Sequence, residues 1–165
     1  LRALPCYFEE MDDAQLAQSM VQRFTLRATQ AGLTLTLKLE TEAPLMVRWD
    51  AKRIEQLVGN LLDNSLRYTD APGQVIVRLR SHETKVVIEV DDTAPGVSAD
   101  DLSRIFEPLY RADASRCRST GGSGLWLAIC EQIAKAHHGA IRAAPSALGG
   151  VLFHLELPRF GDEET

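Results

Sequence analysis

Between residues 51 and 92 the repeat of the apolar side chains changes from about 3.6 to about 2 residues across one short turn, which few architectures accommodate. Ile54, Leu57, Val58, Leu61 and Leu62 keep helical spacing behind Asp50, a good N-cap residue, and predict a helix from Ala51 to about Tyr68. Ala71-Pro72-Gly73 reads as a turn. Val75, Val77 and Leu79 then keep a period of two, as do Val86, Ile88 and Val90. The polar piece Ser81-His82-Glu83-Thr84 between them predicts a hairpin. A helix running straight into an antiparallel hairpin argues for a sheet with helices laid against it.

The flanks extend this pattern. Asp12 and Asp13 suit the start of a helix, a mixed run follows from Ala14 to about Ala31, and Gly32 suits its stop. Leu33, Leu35, Leu37 and Leu39 alternate with polar residues and predict a half-buried strand. Pro44 breaks it, and Met46 to Trp49 adds a short strand. Ser98 to Asp101 is similar to a capping box and predicts a short helix to Phe106. Residues 107–122 lack apolar periodicity and predict a long loop, a kind of segment that is usually functional. A helix from near Ser123 to His137, stopped by Gly139, and strands near 140–144 and 151–157 on either side of Gly149-Gly150 complete the chain. Strands do not alternate strictly with helices, so the class is α+β: a two-layer α/β sandwich with one sheet covered on one face.

The 165 residues, 45% of them hydrophobic and 25% charged, suit one domain with a real core. A net charge of −5 with no basic stripe argues against a nucleic-acid partner. Cys6, Cys117 and Cys130 are odd in number, far apart and without metal-site spacing, so they read as free thiols in a reducing compartment, Cys130 as core. The longest apolar run, 125–130, is far short of the roughly 20 residues of a membrane span. No signal peptide is visible. The first residue is not Met, which leaves room for a membrane-anchored parent protein.

Three constellations carry chemistry. Asn60, Asn64 and Tyr68 share one helix face. An amide oxygen there suits Mg²⁺, which takes few protein ligands; alternatively, both Asn cap a neighbouring loop. Asp92 has the strand parity of Val86, Ile88 and Val90 and points to the buried face, where an adenine amino group would satisfy it; alternatively, it caps an exposed turn. Gly121-Gly122-Ser123-Gly124-Leu125 opens a helix and can present backbone N–H groups to phosphates; alternatively, it is a flexible connection.

Taken together and in order, these stretches resemble the catalytic ATP-binding domain of bacterial sensor histidine kinases. Asn60 to Tyr68 resembles the N box, Asp92-Thr93-Ala94-Pro95-Gly96 the G1 box, Phe106 to Arg111 the F box, and Gly122-Ser123-Gly124-Leu125 the start of the G2 box; the match spans roughly residues 10 to 158. The resemblance implies a Bergerat-type (GHKL) ATP-binding fold with a mixed sheet. It implies ATP and Mg²⁺ as cofactors, Mg²⁺ on Asn64, adenine on Asp92, Tyr68 beside the base, an ATP lid over about 107–121, and phosphates along Gly122 and Gly124. Asn60, Arg67, Ala94, Gly96, Arg111, Ser123 and Leu125 complete the implied nucleotide-binding set. Arg111, Arg116 and Arg118 either reach phosphates on lid closure or are solvated loop charges.

Two residues depart from the family pattern. Ala94 replaces a usual glycine, a mild change. Trp126 stands where the family reads Gly-Leu-Gly-Leu, so it either obstructs the phosphates, points to solvent or covers the adenine end. No histidine has the context of a phospho-acceptor, so no catalytic residue is assigned. The expected domain is 1–160, with 1–12 as linker from a missing dimerisation domain and 161–165 as a disordered tail. The expected function is donation of the γ-phosphoryl group of ATP to a histidine on that dimerisation domain; the alternative is a regulatory module whose nucleotide binding Trp126 impairs. Expected partners are the dimerisation domain and, indirectly, a response regulator. The expected setting is the cytoplasmic side of an inner-membrane sensor, with this piece itself monomeric.

Overall fold

The computed structural model describes residues 4–41, 44–93, 95, 105 and 123–162, with the backbone alone for 123–126. Asp12 ends a short strand, β1 (Glu9–Asp12), and caps α1 (Asp13–Gln22) by accepting the Gln15 N–H at 2.9 Å. The expected single helix over 14–31 is two helices, because the Phe24 N–H turns tightly onto Val21 O at 3.0 Å. That break lets the Phe24 ring pack inward over Gly59, and α2 (Thr25–Gln30) restarts behind it. Gly32, at φ +75°, stops α2.

β2 (Leu33–Leu39) and β3 (Met46–Trp49) follow, then α3 (Ala51–Tyr68), capped by Asp50, which accepts the Arg53 N–H at 3.1 Å. β4 (Gly73–Ser81) and β5 (Lys85–Thr93) form the expected hairpin. After α4 (Ser123–Ala136), β6 (Ala140–Pro145) and β7 (Gly149–Pro158) form a second hairpin. The sheet order is β2-β4-β5-β7-β6, with β2 and β4 parallel across the α3 connection and the other pairs antiparallel. β1 pairs with β3 in a separate two-stranded sheet; its acidic sequence carries no strand periodicity, and the pairing alone makes it a strand.

The core lies between one sheet face and the helices. Val75, Val77, Leu79, Ile88, Val90, Phe153 and Leu155 meet Leu57, Val58, Leu61 and Ile133, all essentially inaccessible. Each such side chain contributes about 1.5–3 kcal/mol through burial. The opposite face carries one row across all five strands, Lys38, Arg78, Glu89, His154 and Arg142. Burial pushes the Glu89 carboxyl up, but the hydrogen bond from His154 Nδ1 at 2.8 Å and the Arg80 guanidinium together hold it below the usual range. Glu89 is itself buried, so these partners chiefly offset the cost of taking its charge out of water, and the apolar face carries the stability.

His137 closes the far end of the helical layer. Its Nδ1 donates to Ile133 O at 2.9 Å, and its Nε2 accepts the Asp50 N–H at 3.1 Å, which joins α4 to the start of α3. His138 follows at φ 60°, and its N–H and that of Gly139 return to Lys135 O and Ala134 O, a Schellman end with histidine where glycine is usual.

Gly59 sits inside α3, where an added methyl would rest 3.7 Å from the Phe24 ring, an ordinary contact. Gly59→Ala should therefore stabilise the fold by about 1 kcal/mol, a rise of roughly 2–4 °C in thermal denaturation. Burial pushes the His137 pKa down, so the unfolded chain takes up that proton first. Its contribution is complete above about pH 6.5 and is lost as pH falls from there through the lowered folded value. Urea titrations at successive pH values should show that loss in the parent chain and a shallower one in His137→Gln.

Candidate functional site

The last turns of α3 carry oxygen atoms that the core does not satisfy. Among the described residues, Asn64 Oδ1, Ser65 Oγ and Thr69 Oγ1 are buried without a hydrogen-bond partner. Leaving one such group unpaired costs about 1–3 kcal/mol, so three within two turns of one helix mark a wall built to meet something polar. Tyr68 is buried beside them. Asn60, one turn earlier, is half-buried beside the thiol of Cys130 on α4, which donates to Leu57 O at 3.6 Å. Burial pushes that thiol up to about 12, against the pull of Asn60, so Cys130 is an inert core group. Arg67 lies on an exposed face of α3, 3.4 Å from Asp63.

The second wall is the end of β5. Asp92 is fully buried, as its parity requires, and its Oδ1 accepts the Val151 N–H at 2.8 Å. The β5–β7 register shifts between Asp91 and Thr93, which turns the strand end out of the regular ladder. The end of α3 and the end of β5 meet at Gly73: a methyl there would lie 3.0 Å from Thr69 Cγ2 and 2.7 Å from Thr93 Oγ1. Asn64 and Tyr68 lie in the last turns of the helix and Asp92 near the end of the strand. Two cavities, of about 350 and 570 Å³, lie elsewhere, one beside Gly139 and Glu156, the other beside Tyr7 and Lys52.

Ala94, Gly96, Arg111 and Gly122 lie outside the described residues, as do the expected helix to Phe106 and the lid segment. Ser123, Gly124, Leu125 and Trp126 form the first turn of α4, described by backbone alone. Ser65, Thr69, Gly73 and Gly150 escaped the sequence reading. Ser65 flanks Asn64, and Thr69 follows it at i+4 on the same face. Gly150 is the second glycine of the pair placed between the last two expected strands; it lies inside β7, and a strand glycine commonly marks a close backbone approach.

A family model described as "Histidine kinase-, DNA gyrase B-, and HSP90-like ATPase" matches residues 49–160. The chain belongs to this family. Among the relatives of this ATPase domain, the signal transduction histidine-protein kinase BaeS of Escherichia coli (strain K12) is 48% identical over 135 residues, covering 82% of this chain and 28% of BaeS. The sensor histidine kinase RppB of Synechocystis is 37% identical over 147 residues, covering 88% of this chain and 32% of RppB. A nucleotide-free catalytic domain of the histidine kinase ThkA superposes with a TM-score of 0.82 at 25% identity, covering 96% of this chain and 99% of that one. Full-length ShkA in complex with AMPPNP superposes with a TM-score of 0.81 at 26% identity, covering 95% of this chain and 32% of ShkA. The chain thus spans about a third or less of the BaeS and RppB sequences it matches.

An oxygen kept for a ligand burdens the fold that carries it. Asn64→Leu, similar in shape and without the orphaned oxygen, should leave thermal stability unchanged or raise it by about 1 kcal/mol, whereas a packing asparagine would lose stability on the same change.

Proposed function

We propose that this domain binds ATP with Mg²⁺ between α3 and the Asp92 turn, and that in its parent sensor kinase it donates the γ-phosphoryl group to a histidine of a separate dimerisation domain. The buried, unpartnered Asn64 Oδ1 carries this reading. It is a hard oxygen on the helix face that also bears Tyr68, and among the described residues no cluster of acidic, histidine or cysteine side chains offers a competing metal site. Mg²⁺ keeps most of its waters and needs few protein ligands, which suits a single amide oxygen. When bound, it supplies charge neutralisation along the phosphates. Asp92 would accept from the adenine amino group, Tyr68 would lie beside the base, and the first turn of α4, from Ser123, would present backbone N–H groups to the phosphates.

The nucleophile lies outside this domain. His82 is exposed in the β4–β5 turn, His137 has both ring nitrogens engaged, His138 ends α4, and His154 pairs with Glu89. Transfer would break the bond between the γ-phosphorus and the β,γ-bridging oxygen and form a phosphorus–nitrogen bond on the acceptor imidazole, with ADP leaving. A response regulator would then take the group from that histidine; the ThkA kinase is known in complex with its response regulator TrrA. We place the domain on the cytoplasmic side of an inner-membrane sensor. No described helix is long and apolar enough to cross a membrane.

The kinase relatives and the AMPPNP complex of ShkA support this reading over that of a module whose nucleotide binding Trp126 impairs. Calorimetry with ATP, with and without Mg²⁺, on this chain and on Trp126→Gly separates the two. Binding by both, tightened by Mg²⁺ and untightened in Asn64→Leu, is the expected outcome. Binding by Trp126→Gly alone would make this chain the impaired module, and binding by neither would end the ATP-site reading.

A further inference from the structure

Asp91 and Asp92 are consecutive, both buried, and point to opposite faces of β5. Both grip the same turn. On the outer face Asp91 accepts from the Ser146 hydroxyl and from the Arg78 guanidinium at 2.8 Å. Ser146 Oγ in turn accepts the Leu148 N–H at 2.8 Å, and Ser146 exchanges backbone bonds with Gly149 and Gly150 at 3.0 and 2.9 Å. The β6–β7 turn is thus fixed internally and tied to Asp91 through one hydroxyl. On the inner face the same turn delivers the Val151 N–H to Asp92 Oδ1. It fits there because Gly150 has no side chain: a methyl on it would overlap Asp92 Oδ1 and Thr93 O, closer than real side chains approach.

We infer that Ser146 and Gly150 are positioning residues that orient the Asp92 carboxylate and thereby set which purine base the site accepts. The inference rests on the reading that Asp92 faces the base. Ser146 touches no part of the proposed nucleotide pocket directly. It acts through the turn, holding the Val151 N–H where it fixes one Asp92 oxygen and so the plane of the carboxylate. A correctly oriented carboxylate accepts from the exocyclic amino group of adenine. It repels the carbonyl oxygen that hypoxanthine carries at the same position, because two acceptors then face each other. Loss of orientation should weaken that discrimination while leaving contacts to ribose and phosphates in place.

The test is equilibrium binding of ADP and IDP to this chain and to Ser146→Ala, Ser146→Thr, Gly150→Ala and Asp92→Asn. The parent chain should favour ADP over IDP by roughly tenfold or more, the weight of one hydrogen bond to a charged group. Ser146→Ala should shrink that ratio by about threefold or more. Ser146→Thr, which keeps the hydroxyl, should restore it. Gly150→Ala should nearly abolish it if the protein folds, and the serine pair decides the matter if it does not. If Ser146→Ala weakens both nucleotides equally, or neither, the ratio stays intact, the turn is only a scaffold and the inference falls. A ratio indifferent to Asp92→Asn would instead overturn the adenine reading, and this inference with it.

Discussion

Asp92 is withdrawn from water at the end of a strand face that is otherwise all valine and isoleucine, and the surrounding chain is shaped by the need to satisfy it. A buried carboxylate requires donors, so β7 brings the Val151 N–H to it. For β7 to approach that closely, Gly150 must be bare, and the β5–β7 register slips at the same place. Gly73 at the start of β4 leaves the space in which the helix end and the strand end come together. These local irregularities collect at one end of the three central strands, in a sheet whose remaining pairings are regular.

The opposite end of the helical layer is organised around a second carboxylate. Asp50 caps α3, accepts the Tyr7 N–H at 2.8 Å, and through its own N–H meets His137. The segment before β1, the start of α3 and the end of α4 therefore share one small polar junction, sealed by the Phe8 ring edge-on to His137 with centroids 5.1 Å apart. α3 is held firmly at this end and left with unpaired oxygens at the other. The asymmetry suits a helix that must be immobile as a scaffold and still available to a ligand.

Much of this was legible in the amino-acid order because the governing signals are local. The period of α3, the alternation of β2, β4 and β5, and the capping by Asp12 and Asp50 each depend on residues near in sequence. The burial of Asp92 followed from strand parity alone. What escaped depends on partners distant in the chain. β1 is a strand only because β3 lies beside it. The break at Phe24 turns its ring onto Gly59 in another helix, a contact that no local period announces. Gly150 looks like any hairpin glycine until Asp92 is placed against it. Ser65 and Thr69 are small hydroxyl residues whose lack of partners becomes visible only when their surroundings are assembled. Arg67 is exposed on α3 and pairs with Asp63 four residues earlier.

β5 and β7 are neighbours in the sheet although residues 94–148 separate them in the chain. The entropy of closing such an interval grows only with the logarithm of its length, by about 0.6 kcal/mol for each doubling. Insertions or deletions between β5 and α4 should therefore burden the sheet very little. The β4–β5 hairpin is different, because a one-residue slip there would turn every side chain of a strand to the wrong face. The stretch whose sequence resembles an ATP lid is thus the stretch that evolution can lengthen, shorten or rewrite most freely, while the strands that hold Asp92 remain bound to a fixed register.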